Sequence, residues 1–145
     1  MIQRKQTIWL LVASLLSVCL FYFDLYRVHV MVNNADTVMS VRVGNDYLLL
    51  LVALVTAVLP FIDIFLFKNR KRQRNLAALS IVLNIAFIAL MIWKISNFNN
   101  QNPTATDHTY WVGAVIPVIS IIFLIMAING IRKDQKLVKS LDRLR

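Results

Sequence analysis

Cysteine, glycine and proline are all scarce in this chain: one Cys, three Gly and three Pro among 145 residues. A single cysteine, Cys19, excludes an intrachain disulfide, a CxxC redox pair and a thiolate metal cluster. Its position inside an apolar run marks it as a small buried hydrophobe. Three glycines leave no phosphate-cradling loop, and no serine stands in a G-x-S-x-G context. Histidine is equally rare, with only two, His29 and His108. Asp36, Asp46 and Asp107 fall on the same side of the predicted topology, but none stands at a ligand spacing from either histidine on a regular element. The residues therefore define no catalytic group, no cofactor site and no metal site, and the chain reads as a non-enzyme.

Acidic residues are the next shortage: seven Asp and Glu stand against sixteen Lys and Arg, for a net charge of +9. In a soluble protein that excess would raise nucleic acid as a partner. Here 59% of the residues are hydrophobic and only 16% charged, against about 45–50% and roughly 25% in an average soluble chain. The apolar residues come in blocks with the cations between them, and no aromatics interleave with the basic clusters. That arrangement favours loops that fix membrane topology and meet anionic lipid over a nucleic-acid face.

The chain is organised around Lys68-Asn69-Arg70-Lys71-Arg72-Gln73-Arg74, a basic stretch between two apolar runs, Tyr47–Phe67 and Leu76–Ile95. Lys68, Arg70, Lys71, Arg72 and Arg74 cannot cross hydrocarbon cheaply, so this turn belongs on the cytoplasmic face. Met1 to Lys5 opens with two cations, and Ile8–Tyr26 reads as a retained first span rather than a cleaved signal, since its apolar run is long and no small-x-small site follows. Tyr26–Val32 and Thr37–Val43 are rich in β-branched residues around the turn-forming Asn33-Asn34-Ala35-Asp36, which predicts a β-hairpin outside the membrane. Continuation of the first helix to about Val32 is the alternative. Ser96 to Thr109 is polar and cannot continue a membrane helix, and a fourth span runs from Trp111 to Gly130.

The reading is an all-α membrane protein: four transmembrane helices (about 8–26, 47–67, 76–95 and 111–130) in an up-down bundle. It carries a small extracytoplasmic hairpin in the 27–46 insert and a cytoplasmic amphipathic tail, 131–145. Thirteen of the sixteen Lys and Arg then lie on one side, with Arg27, Arg42 and Lys94 on the other, which places both termini in the cytoplasm.

Met1-Ile2-Gln3-Arg4 running straight into an apolar helix, and Gly130-Ile131-Arg132-Lys133-Asp134 followed by Lys136 to Arg145, are similar to the opening and closing segments of a known family. This is the four-span integral membrane group of Bacteroidota called domain of unknown function 4293. The resemblance implies a bacterial inner-membrane protein with an insert after the first helix. It brings no activity and no catalytic residue.

Two candidate sites remain. Asp63 is the acid placed well inside a predicted span, although only five residues, or about 7 Å of helix, separate it from Lys68. An antiparallel pair turned at Lys68–Asn75 brings it to the level of Ser80, with Asn84 one turn deeper on the same face. The expected role is a structural polar clasp of Asp63, Ser80 and Asn84; a proton or ion path is the sharper alternative. In the tail, Leu137, Val138, Leu141 and Leu144 fall at helical spacing, with Lys136, Lys139, Asp142, Arg143 and Arg145 opposite. A helix on the anionic leaflet or a helix docked on a protein both fit, and acids among the cations tilt the balance to a protein.

These features lead to a non-enzymatic accessory or scaffold subunit of a larger inner-membrane complex, for example one concerned with protein export, with membrane lipids and a membrane protein as partners. The alternatives are a small transporter or channel subunit using Asp63, with homo-oligomerisation, and a membrane anchor that recruits ribosomes or nucleic acid through its basic segments.

Overall fold

The longest apolar stretches have no choice but to close their backbone hydrogen bonds internally, and helices dominate the result. The computed structural model describes residues 3–32, 35–67, 69–101 and 105–142. Among the described residues are four α-helices, α1 (Gln3–Cys19), α2 (Tyr47–Phe65), α3 (Arg70–Gln101) and α4 (Val112–Asp142), three strands, β1 (Tyr26–Val32), β2 (Ala35–Val41) and β3 (Ala105–Tyr110), and a short 3-10 turn at Val43–Asn45. In the bundle α1 packs on α2 and α4, and α3 packs on the same two, so α1 and α3 sit diagonally. The sequence direction alternates, giving one end that carries the strands and one that carries the basic residues.

α2, α3 and α4 each contain a stretch long and apolar enough to cross a membrane, whereas the apolar part of α1, Gln6–Cys19, is shorter. Large side chains such as Leu51, Leu54, Val82, Ile85, Val115 and Ile122 stay exposed on the outward faces. Water would penalise so continuous an apolar surface, and lipid would not. The protein is a multi-pass membrane protein.

Several boundaries differ from the sequence reading. The first helix ends at Cys19, not Tyr26: Leu20, Phe21 and Tyr22 donate to carbonyls only three residues back, and the chain leaves the helix there. The basic stretch is not a loop. Asn69 caps α3, its Oδ1 accepting from Arg72 N at 3.3 Å and its carbonyl from Gln73 N at 3.0 Å, so Arg70 to Arg74 form the first turns of the helix. At its other end α3 runs on through Ser96–Gln101. Polar residues end burial in hydrocarbon, but they do not end a helix that has water and neighbours to satisfy it. α4 likewise passes through Gly130 without a break.

The hairpin is present, and it is part of something larger. β1 pairs antiparallel with β2, Val28 opposite Met39, and on its other edge with β3, Val28 opposite His108, so the order is β2-β1-β3 with an irregularity in the β1–β3 register between Val28 and His29. The expected helices with a hairpin thus become a mostly helical fold with a three-stranded antiparallel sheet, and the polar segment before α4 supplies the third strand. Tyr26 and Val28 are buried in one cluster with Leu20, Leu25, Leu49, Phe87, Met91 and Ile95, which closes the bundle under the sheet. The Tyr26 hydroxyl donates to Asn99 Oδ1 at 3.1 Å, in the polar extension of α3. A second cluster, Leu10, Ala13, Ala77, Leu124, Ala127 and Ile128, packs the half nearer the basic end.

Candidate functional site

Asp63 lies on the inward face of α2 and is fully buried. Gln73 of α3 reaches it, Nε2 donating to the main-chain carbonyl of Asp63 at 3.2 Å. Neither carboxylate oxygen of Asp63 has a hydrogen-bond partner among the described residues, and the same holds for Gln6 Nε2 on α1. The two belong to one layer. Ser14 Oγ donates to Ala57 O at 2.9 Å, and from that contact Gln6 and Asp63 lie about 12 Å and 9 Å along their helices toward the same end. Gly130 of α4 completes the layer: a Cβ there would stand 2.8 Å from Gln6 Cγ.

The expected grouping of Asp63 with Ser80 and Asn84 is drawn differently. All three are buried, but Ser80 Oγ donates to Leu76 O at 3.0 Å and Asn84 Nδ2 to Ser80 O at 2.8 Å, each within α3. Because α3 begins at Arg70, the turn closes early and Gln73, not Ser80, meets Asp63. Ser80 lies a further seven residues, about 10 Å, along the helix. Other interior hydroxyls are also spent on main chain: Ser17 Oγ donates to Ala13 O at 3.0 Å and Thr56 Oγ1 to Ala53 O at 2.8 Å. These are structural bonds within their own helices.

At the basic end α4 is fastened to α3. Arg70 Nη1 lies 3.1 Å from Asp134 Oδ2 and donates to the Asp134 carbonyl at 3.1 Å, while Arg74 Nη1 donates to Gln135 Oε1 at 3.4 Å. Asp134, an acid among the cations that follow Gly130, is buried and paired within the chain. Leu137 and Val138 beyond it are 49% and 43% exposed. Lys71 and Arg72 point to solvent. Leu141 and Asp142 close α4, whereas Lys68, Arg143, Leu144 and Arg145 lie outside the described residues. Between α3 and α4 a groove is lined by Arg74, Asn129, Arg132, Lys133, Gln135 and Lys136.

The sheet end has the opposite character. Asp24, before β1, takes Arg27 Nε at 2.6 Å and also pairs with Arg42 beyond β2. Burial alone would raise its carboxyl, but the bonds from Arg42 and Arg27 outweigh it and hold the group below the usual carboxylate range. Arg27 in turn stacks over Trp111, 4.1 Å from the ring centroid. Asp46 caps α2, accepting from Leu48 N at 2.9 Å and Leu49 N at 3.3 Å, and pairs with Lys94 of α3. The Lys94 bond, with the cap bonds, lowers its carboxyl too. Sequence reasoning passed over Asp24, Gln6 and Gln73. The two arginines flanking the hairpin were the available clue to a shared acid; the glutamines gave none.

His29 stands exposed on β1, and the side chains of Asp36, Asp107 and His108 lie outside the described ones. Among the described residues no three His, Cys, Asp or Glu group together as metal ligands. Chemically, the arrangement offers a buried acid, Asp63, with no ion-pair partner among the described residues, at the edge of a basic helix end with a cationic groove beside it.

The chain matches the model of the family described as Domain of unknown function (DUF4293) over residues 2–144, and it belongs to that family. No curated protein and no solved structure matches it.

Proposed function

We propose that this family member is a non-enzymatic accessory or scaffold subunit of a larger bacterial inner-membrane complex, for example one concerned with protein export. One observation carries the reading. Past the Arg70–Asp134 fastening, α4 continues as helix to Asp142, about 12 Å further, and presents Leu137 and Val138 exposed beside Lys136. A helix already ordered and clamped loses little entropy on docking, which favours a stable partner. In this reading all four helices span. α1, at 17 residues, is about 26 Å long, near the roughly 30 Å of bilayer hydrocarbon, and Ile8, Leu11, Leu15 and Val18 face outward. The cations of α3 and α4 set their shared end in the cytoplasm, with both termini.

Two experiments test it. In a Cys19→Ser background, a cysteine at Asn100 reacts with an impermeant thiol reagent in spheroplasts and one at Lys71 does not; the reverse pattern inverts the topology. From gently solubilised membranes, a stoichiometric membrane protein co-purifies with the native chain and is lost from a Leu137→Ser, Val138→Ser variant of equal charge. Equal recovery from both removes the docking role.

A second reading, a proton- or cation-conducting subunit, is favoured by the two unpartnered carboxylate oxygens of Asp63. In proteoliposomes, pH-dependent flux that disappears in Asp63→Asn with the fold intact selects this reading over the first.

A further inference from the structure

The groove at the basic end of α3 and α4 holds more positive charge than the fold uses. Arg74, Arg132, Lys133 and Lys136 all line it. Arg74 is steadied by its bond to Gln135, but the one acid on this stretch of α4 for which a contact is seen, Asp134, is buried and turned to Arg70. Arg132, Lys133 and Lys136 have no ion-pair partner among the described residues. Four cations held together repel one another by an amount that an anion of matching size relieves. Asn129 adds an amide at the rim nearest the apolar half.

What lies directly above decides which anion. On α4, Ile122, Ile125 and Met126 precede Asn129 by seven, four and three residues, so they continue its face, and all are exposed. On α3, Ala78 and Val82 continue the face of Arg74 at steps of four, also exposed. A cationic cradle is therefore followed, along both helices, by exposed apolar side chains. Free phosphate would use the first and leave the second idle; a lipid uses both.

We propose that this groove is a binding site for one anionic phospholipid. Its headgroup phosphate sits among Arg74, Arg132, Lys133 and Lys136, and an acyl chain runs along Val82 and Ile122. Guanidinium and phosphate make charge-assisted, often paired hydrogen bonds, and basic pockets between helices at the cytoplasmic side suit such headgroups. The site does not rest on the docking role of the α4 end, since Leu137 and Val138 are not among the residues that line it.

Native mass spectrometry of the full-length chain in detergent, titrated with phosphatidylglycerol, phosphatidylcholine or inorganic phosphate, tests this. Phosphatidylglycerol is retained in preference to phosphatidylcholine, and millimolar phosphate does not displace it. Arg74→Gln with Arg132→Gln weakens retention roughly tenfold or more, whereas Lys71→Gln with Arg72→Gln, an equal loss of charge on the solvent side of α3, leaves it unchanged. Equal losses from both pairs reduce the effect to surface charge and overturn the site. Equal binding of the two lipids, or displacement by phosphate, overturns the lipid assignment. Thermal unfolding of each variant is followed alongside; if the double variant does not fold, Lys136→Gln alone must show a loss in the same direction.

Discussion

The two ends of the bundle treat charge in contrary ways. At the sheet end every cation is spent on an acid: Arg27 and Arg42 on Asp24, Lys94 on Asp46. At the basic end cations outnumber acids, and Asp63 keeps two buried oxygens without a hydrogen-bond partner among the described residues. Charges that are matched and enclosed hold a shape; charges left over can meet something else. The contrast sets an end whose charges are matched against one whose charges are left over.

The sharpest way to break that contrast is with glycine. A Cβ at Gly113 would stand 2.5 Å from the main-chain oxygen of Asp24, which cannot swing aside. Gly113→Ala should therefore cost about 2–3 kcal/mol, read from denaturant unfolding in micelles. Asp24→Asn comes next. It leaves two arginines without their charge partner, but their side chains are 36% and 58% exposed, so solvent screening trims the loss to about 1–2 kcal/mol. Acid acts on the same groups. Asp24 and Asp46 are held below the ordinary value, so their contribution is complete above about pH 4 and disappears as pH falls through the lowered folded values. The native chain should hold its stability from neutrality to about pH 5 and lose it below about pH 4, and Asp24→Asn should lose less over that last interval.

Smaller effects belong to the basic end. Asp63→Asn removes no side-chain hydrogen bond and keeps the Gln73 contact, which is to main chain, so stability should move by less than about 1 kcal/mol. A loss as large as that of Asp24→Asn would put Asp63 among the paired acids and dissolve the comparison. Gly130→Ala should matter least. Its new methyl meets only the flexible side chain of Gln6, and the better helix propensity of Ala, worth up to about 1 kcal/mol, offsets the crowding. A Gly130 variant as damaged as the Gly113 variant would show that both ends are equally rigid.

What could be read from the chain follows the same division. Apolar blocks announced the helices, and alternation of Val28, Val30 and Val32 announced a strand, because burial and periodicity are local in sequence. β3 was hidden. Its residues, Ala105-Thr106-Asp107-His108-Thr109-Tyr110, are mostly polar, and only the open edge of β1, some eighty residues earlier in the chain, makes them a strand. The continuation of α3 past its apolar span was hidden for a related reason: Asn99 and Asn100 mark the end of an apolar run, and only the contact of Asn99 with Tyr26 shows what they meet. At the site, Asp63 was legible as an acid in an apolar run. Its true neighbour was not, since a cap at Asn69 advances the start of α3 and resets which side chains face each other.

The sheet also imposes an order of events. β1 is its central strand, and one neighbour, β3, is made only after α3. While the ribosome is still producing α3, the hairpin therefore waits with one row of backbone donors and acceptors open, a temporary adhesive edge. Residue 110 is the point at which that edge is sealed. Every nascent chain passes through this interval, because β1 precedes its second partner by all of α2 and α3.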